Sequence, residues 1–381
     1  MKSLLTLVLV LASTSAFATR ARINALGNAA HLVDASTVYG NPSNMMTLTG
    51  DSLTIESGVT NTDVVDCNPN LAGNQPCVYG QNAEGVLIRS MGDAKFALSL
   101  GHQDAALFSS RNDAKARNAA VATIHQQNPL EVSYGMKTGD MSVAGTLVYS
   151  KFENKKSGSE QKESSMGLKF GATAANWTGA LLVGLTDTWE SGTGATLNDY
   201  KGKTSIAATG GYDVMSDLYV YGGLSTGGYK ATVATASVLD YAVMSVNIGA
   251  LSKIKKDATE FFYGAGLTYS SAKESATAGA EQTIKETHMP LIIGLEAEAN
   301  SWLTLRGSVT QNLLLVDSSK DETAPATTTT DLNPGLNSTT LAAGAGLKFN
   351  KVSVDASILA AGSQVLNSAN LLGQVGLTYA F

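Results

Sequence analysis

Leu371-Leu372-Gly373-Gln374-Val375-Gly376-Leu377-Thr378-Tyr379-Ala380-Phe381 is the stretch that decides the fold. Every second residue from Leu371 is apolar, with Gly373 the interruption, and the residues between Gln374 and Ala380 are small or polar. A period of two marks a strand with one greasy face and one that is not. The alternation runs out on the aromatic Phe381. A strand of this kind is expected to close an outer-membrane β-barrel, with Phe381 at the lipid interface.

The opposite end reads as a secretory leader over residues 1–18. Lys2 supplies the positive start, Leu4 to Ala12 the apolar run, and Ala16-Phe17-Ala18 a small-x-small cleavage site. The mature chain is expected to begin near Thr19. The apolar run falls well short of the roughly 20 residues that a spanning helix needs. Together the two ends imply export through a cleaved signal peptide to the bacterial outer membrane. The terminal Phe381 resembles the signal read by the barrel-assembly machinery, which makes that machinery and outer-membrane lipid the expected partners.

Composition agrees. Charged residues make up 15% of the chain, and glycine appears 38 times against 7 prolines. Soluble proteins of this length carry more charge. Low charge with abundant small residues suits a wall whose strands face lipid on one side and a polar lumen on the other. The net charge of −6 and the lack of a basic run exclude a nucleic-acid partner. Cys67 and Cys77 lie close together in an exported chain, so a local disulfide is expected. Closing so short a loop would stabilise by about 3 kcal/mol on the chain-entropy view. Two thiols without nearby histidine make a poor metal site.

Alternation gives candidate strands near 52–59, 85–92, 95–102, 130–137, 141–151, 163–174, 177–187, 203–213, 217–228, 238–253, 259–271, 287–298, 302–315, 339–349, 351–359 and 371–381. Tight turns such as Gly92-Asp93, Gly139-Asp140 and Asn350-Lys351 alternate with longer loops near 60–84, 103–129, 152–162, 188–202, 229–237, 272–286, 316–338 and 360–370. Short turns on one side and long loops on the other are the rule for these barrels. The expected fold is therefore all-β, a transmembrane antiparallel barrel of about sixteen strands over residues 51–381, with fourteen as the alternative.

The phase assigns the faces. Leu130, Val132, Tyr134 and Met136 should face lipid; so should Ile293, Leu295, Leu305 and Val309. Arg89, Lys95, Glu131, Lys137, Lys169, Glu296, Glu298, Arg306 and Lys348 are then expected as lumen charges, where they avoid the roughly 2–4 kcal/mol cost of a charge at the lipid midplane. The loop over 104–128, with Arg111, Lys115, Arg117 and His125, is expected to be solvated rather than folded into the mouth.

No catalytic constellation stands out. The four histidines, His31, His102, His125 and His288, form no ligand or triad spacing, and neither a Gly-x-Ser-x-Gly elbow nor a phosphate-binding loop occurs. The reading is of a non-enzyme with no cofactor.

Residues 19–50 differ in character from the strands. A Leu26-Gly27-Asn28-Ala29 start is followed by Asp34-Ala35-Ser36-Thr37-Val38-Tyr39-Gly40-Asn41-Pro42-Ser43-Asn44-Met45. This resembles the amino-terminal region of the long-chain fatty-acid transporter (FadL-like) superfamily, with Asp34, Asn41 and Pro42 at the family's spacing. The resemblance covers about 25 residues. It implies a hatch that folds into the lumen, placing Asp34 near basic wall residues such as Arg306. It also implies fourteen strands, fewer than the alternation suggests. The competing reading of this segment is a periplasmic lead-in strand, with Asn41-Pro42 only a turn.

Three functions follow. A porin-like channel for passive transport of small solutes comes first, with selectivity set by the lumen charges. A FadL-like transporter of hydrophobic compounds with an amino-terminal plug, and a structural or secretion-associated barrel, are the alternatives. Homo-oligomerisation stays open.

Overall fold

The computed structural model describes residues 19–58, 82–108, 126, 128–156, 159–192, 198–233, 237–276, 281–321, 327–328, 339–361 and 373–381. The leader over 1–18, Cys67 and Cys77, and Arg111, Lys115, Arg117 and His125 lie outside the described residues.

The strands run in chain order: β1 Ser52–Gly58, β2 Asn82–Met91, β3 Ala94–Leu100, β4 Leu130–Thr138, β5 Met141–Lys156, β6 Ser159–Thr173, β7 Trp177–Ser191, β8 Asn198–Gly202, β9 Ser205–Met215, β10 Leu218–Val233, β11 Ser237–Lys256, β12 Thr259–Ala276, β13 Glu281–Asn300, β14 Leu303–Asp321, β15 Thr327–Thr328, β16 Thr339–Phe349, β17 Val352–Ala361 and β18 Gln374–Ala380. Each pairs antiparallel with its neighbours. The ring closes where β1 pairs with both β2 and β18, in a register that sets Ser52 against Ala380 and Gly58 against Gln374. β8 and β9 share one position between β7 and β10. β15 pairs only with β14 and stands outside the ring. The result is a closed 16-strand antiparallel barrel. It has more strands than the fourteen implied by the amino-terminal resemblance.

Turn chemistry explains one rim. Gly92 (φ 66°), Gly139 (φ 60°) and Asn350 (φ 54°) take the left-handed backbone that tight hairpins need, as does Asp257 (φ 52°). A Cβ on Gly92 or Gly139 would meet nothing, so glycine serves the angle there and not the packing.

The opposite rim differs from expectation. Much of 152–162, 188–202, 229–237, 272–286 and 316–321 is strand rather than loop. β11 and β13 each reach 20 residues, and β1 and β3 only 7. A strand needs about 9–11 residues to cross a bilayer, so one side of the wall stands well above the membrane. Over 152–162, 281–286 and 316–321 the extensions escape an alternation reading because most residues on both faces are polar. Cross-strand ion pairs mark them instead, such as Lys273 with Glu281 and Lys162 with Glu190 (3.9 Å).

Facing follows the period. Val132 and Tyr134 are exposed on the outside of β4, while Glu131 and Ser133 between them are buried. Ile293, Leu295, Leu305 and Val309 are likewise exposed. An apolar exterior on a sheet without free edges is the form that a bilayer demands of strands.

Candidate functional site

Residues 19–50 pack against the inner wall. A short helix, Arg20–Ala25, is followed by two 3-10 turns, Ser36–Tyr39 and Pro42–Met46. Gly27 and Asn28 stop the helix with positive φ, and the Asn28 N–H donates to Ile23 O at 2.9 Å. The Asp34 carboxylate accepts from the Ser36 N–H (2.9 Å), the Ser36 hydroxyl (2.7 Å) and the Thr37 N–H (3.2 Å), which bends the chain into the first turn. Asn41 caps the second by accepting from the Ser43 N–H at 3.0 Å, with Pro42 at the first helical position.

The second turn seats on bare wall. A Cβ on Gly171 would lie 2.0 Å from Asn41 Oδ1, and one on Gly135 would lie 2.6 Å from Met45 Cε. Asn41 Nδ2 donates to Thr178 Oγ1 at 2.7 Å, and the Ser43 and Thr173 hydroxyls meet at 2.7 Å. Met45, Met46, Val38 and Leu48 pack on Val86, Ile88 and Ala97 of the wall. Across the lumen, Leu26, Ala29 and Leu32 pack on Tyr219, Leu251 and Phe262. A four-residue helix, Ala105–Phe108, also turns inward: Leu107 and Phe108 pack on Val148, Ala180 and Leu182. This end of the 104–128 loop thus enters the barrel instead of being solvated.

Three ion-paired groups tie plug to wall. In the first, Arg22 of the helix grips Glu296 through Nε (2.9 Å) and Nη2 (2.7 Å). Arg306 joins Glu296 (2.8 Å) to Asp355 (2.5 Å). Asp34 is completely buried and meets Arg22 at 3.8 Å. Its cation therefore comes from the plug itself, and Arg306 is reached only through Glu296. Burial pushes the Asp34 carboxyl up to about 6, against the opposing pull of Arg22 and the hydrogen bonds from Ser36 and Thr37. In the second group, Lys169 is fully buried. It donates to Tyr39 O (2.8 Å) and Glu131 (2.8 Å) and pairs with Asp104 (2.6 Å). Burial raises the Asp104 carboxyl, but Lys169 and His102 outweigh it and hold it below the usual range. His102, Asp104 and Glu131 are close enough to share a cation, and the Lys169 ammonium already lies against both carboxylates. In the third, Arg20 and His102 both bind Glu84, at 2.7 and 2.8 Å, while His102 stacks on Tyr39 at 3.7 Å.

Of the charges expected in the lumen, Lys95, Glu131, Lys169, Glu296 and Arg306 gather around the plug, with Lys95 donating to Leu48 O. Lys137, Glu298 and Lys348 stand on the inner phase near the ends of β4, β13 and β16. Arg89 is a correction. Glu84, Val86 and Ile88 are the buried, inward residues of β2, so Arg89 falls on the outer phase. There it pairs with Asp51 at 2.9 Å and lies 5.5 Å from the Phe381 ring. The apolar residues of β2 turn inward to meet the plug, which reverses the phase that hydropathy suggests. Phe381 itself is exposed, and its N–H donates to Asp51 O at 3.2 Å. Arg20, Arg22, Glu56, Glu84, His102 and Asp355 were not singled out by the sequence. A carboxylate in phase with Val86 and Ile88, as at Glu84, was the available signal.

No known family pattern and no curated protein matches this chain. Solved structures with a similar course include the toluene transporter TbuX of Ralstonia pickettii, 10% identical over 94% of this chain and 97% of that one, with a TM-score of 0.42. The CymD monoaromatic hydrocarbon channel is 11% identical over 94% and 97%, at 0.40. A porin is 10% identical over 87% and 99%, at 0.38. Transporters of hydrophobic compounds and a porin thus score alike, and the barrel assignment rests on the strand ladder itself.

Proposed function

We propose that this chain is a plugged outer-membrane transporter of small hydrophobic compounds, along the lines of the FadL-like resemblance at its amino terminus. The observation that carries this reading is the set of apolar patches on an inner wall whose charges are paired. Val86, Ile88, Tyr219, Leu251 and Phe262 face inward, where a porin would keep a polar, water-filled lumen. Towards the loop rim a further buried cluster joins Trp189, Tyr200, Tyr229, Leu239 and Tyr241, with the Tyr200 and Tyr229 rings 5.5 Å apart. Val86, Ile88, Tyr219, Leu251 and Phe262 are buried under residues 19–50; once that segment moves off them, such surface would favour an apolar solute by about 25 cal/mol per Å² removed from water. It offers a sugar or an ion little. The plug closes the aqueous path, and the solute would pass as the plug shifts.

Proteoliposomes carrying the purified protein test this. Uptake of an apolar aromatic probe above that of protein-free vesicles, with no swelling in isotonic sugar, is the expected result. Sugar-driven swelling with the plug intact would return the porin reading to first place.

A further inference from the structure

Thr19 sits in a row of acids. The strands β17, β18, β1 and β2 are consecutive in the ring. Their registers set Asp355 against Gly376, Gly376 against Glu56, and Glu56 against Glu84. Three carboxylates therefore share one lateral row, with a bare position between Asp355 and Glu56. All three are buried. Like charges directly opposite on a ladder repel, and burial strengthens the effect. The nearby cations are already engaged: Arg20 lies on Glu84, which also meets the His102 ring, and Arg306 is shared between Asp355 and Glu296. Glu56 Oε1 accepts the Arg20 N–H at 2.5 Å, while Glu56 Oε2 is buried and accepts no hydrogen bond.

Thr19 occupies the bare position. It is completely buried, and a Cβ on Gly376 would lie 2.4 Å from its Cβ. Its hydroxyl donates to Asp355 Oδ2 at 3.4 Å. The N–H of the next residue, Arg20, is the group on Glu56, so the backbone nitrogen of Thr19 is one residue away from that contact along the chain. The leader pattern ends at Ala18. Hydrolysis of the Ala18–Thr19 peptide bond by a leader peptidase consumes one water. The leader keeps the new carboxylate, and the Thr19 nitrogen takes up a proton as an α-ammonium.

We propose that this α-ammonium is the counter-charge of the Asp355–Glu56–Glu84 row, so that leader cleavage itself completes the seat of the plug. In the precursor the same nitrogen is a neutral amide and cannot do this. The inference rests on the leader ending at Ala18 and not on the transport reading.

The mature full-length barrel, isolated from membranes, provides the test. Amino-terminal sequencing should begin at Thr19. The α-amine should react with an amine-terminus-selective aldehyde, 2-pyridinecarboxaldehyde, at least tenfold more slowly in the folded barrel than after heat unfolding. Glu56→Gln and Asp355→Asn should each speed labelling of the folded protein several-fold, since the charge partner is lost while shape is kept. Three results would overturn the proposal: a mature start at another residue, equal labelling of folded and unfolded wild type, or protection that neither substitution changes. The wild-type comparison needs no variant, so a variant that fails to fold leaves the proposal exposed to refutation.

Discussion

The helical part of the plug, Arg20–Ala25, meets the wall through guanidinium groups, whereas the turn Pro42–Met46 meets it through methionines and glycine gaps. The first contact is electrostatic and mostly dehydrated; the second is a fit of shapes. Charges in such a place are costly to strand and sensitive to protonation. A fit of shapes is indifferent to pH and intolerant of added volume. The two parts should therefore fail under different insults, and the comparison can be broken from either side.

The largest effect is expected at Glu296. Glu296→Ala leaves Arg22 and Arg306 facing each other with no shared carboxylate. Removing one partner from a buried pair costs roughly 3 kcal/mol at the low end of such measurements. Limited proteolysis of the plug should accelerate strongly, while the folded barrel keeps its heat-modifiable mobility. An unchanged plug would mean that the ion pairs are not what holds this half.

Next comes the shape-held half. Gly171→Val forces atoms into the space of Asn41 and Pro42. Overpacking of this kind costs about 1–3 kcal/mol. Brief openings in single-channel recordings should become more frequent by the same factor at every pH between 5 and 7. If the variant behaves as the parent does, Pro42–Met46 does not sit against β6 as described.

The smallest effect is protonic. The Asp34 carboxyl is pushed up to about 6 from an ordinary value of 3.8. A group whose pKa is raised in the docked state binds its proton more tightly there than when released. Its contribution to docking is thus full below about 3.8 and is lost as pH rises through about 6. Protease access to the plug should increase modestly across that window, and Asp34→Asn should flatten the dependence. A slope of opposite sign would show that Asp34 does not dock as a buried acid.

Much of the wall was legible in the sequence, because a membrane strand with lipid on one face must alternate. The final strand from Gln374 and the hairpin from Leu130 as far as Lys151 read directly from that rule. What escaped are the places where the rule does not apply. At the loop-side ends of β13 and β14 both faces are largely polar, so those ends carry little hydropathy signal. On β2, Val86 and Ile88 turn inward while Leu87 lies on the other face, and Arg89 was assigned to the wrong side for that reason. Residues 19–50 stood out in the sequence by their irregular apolar spacing and by the placing of Asp34, Asn41 and Pro42. Neither propensity nor periodicity points inward for a segment whose partners are distant wall residues such as Glu296.

The central claim is that residues 19–50 close the lumen, and planar-bilayer recording of the intact chain beside a chain lacking residues 22–46 tests it most directly. The wall ladder does not depend on the plug, so the shortened barrel should still fold. The account predicts a near-silent intact protein and a steady, large conductance in the deletion. Equal conductance from two folded barrels would contradict it.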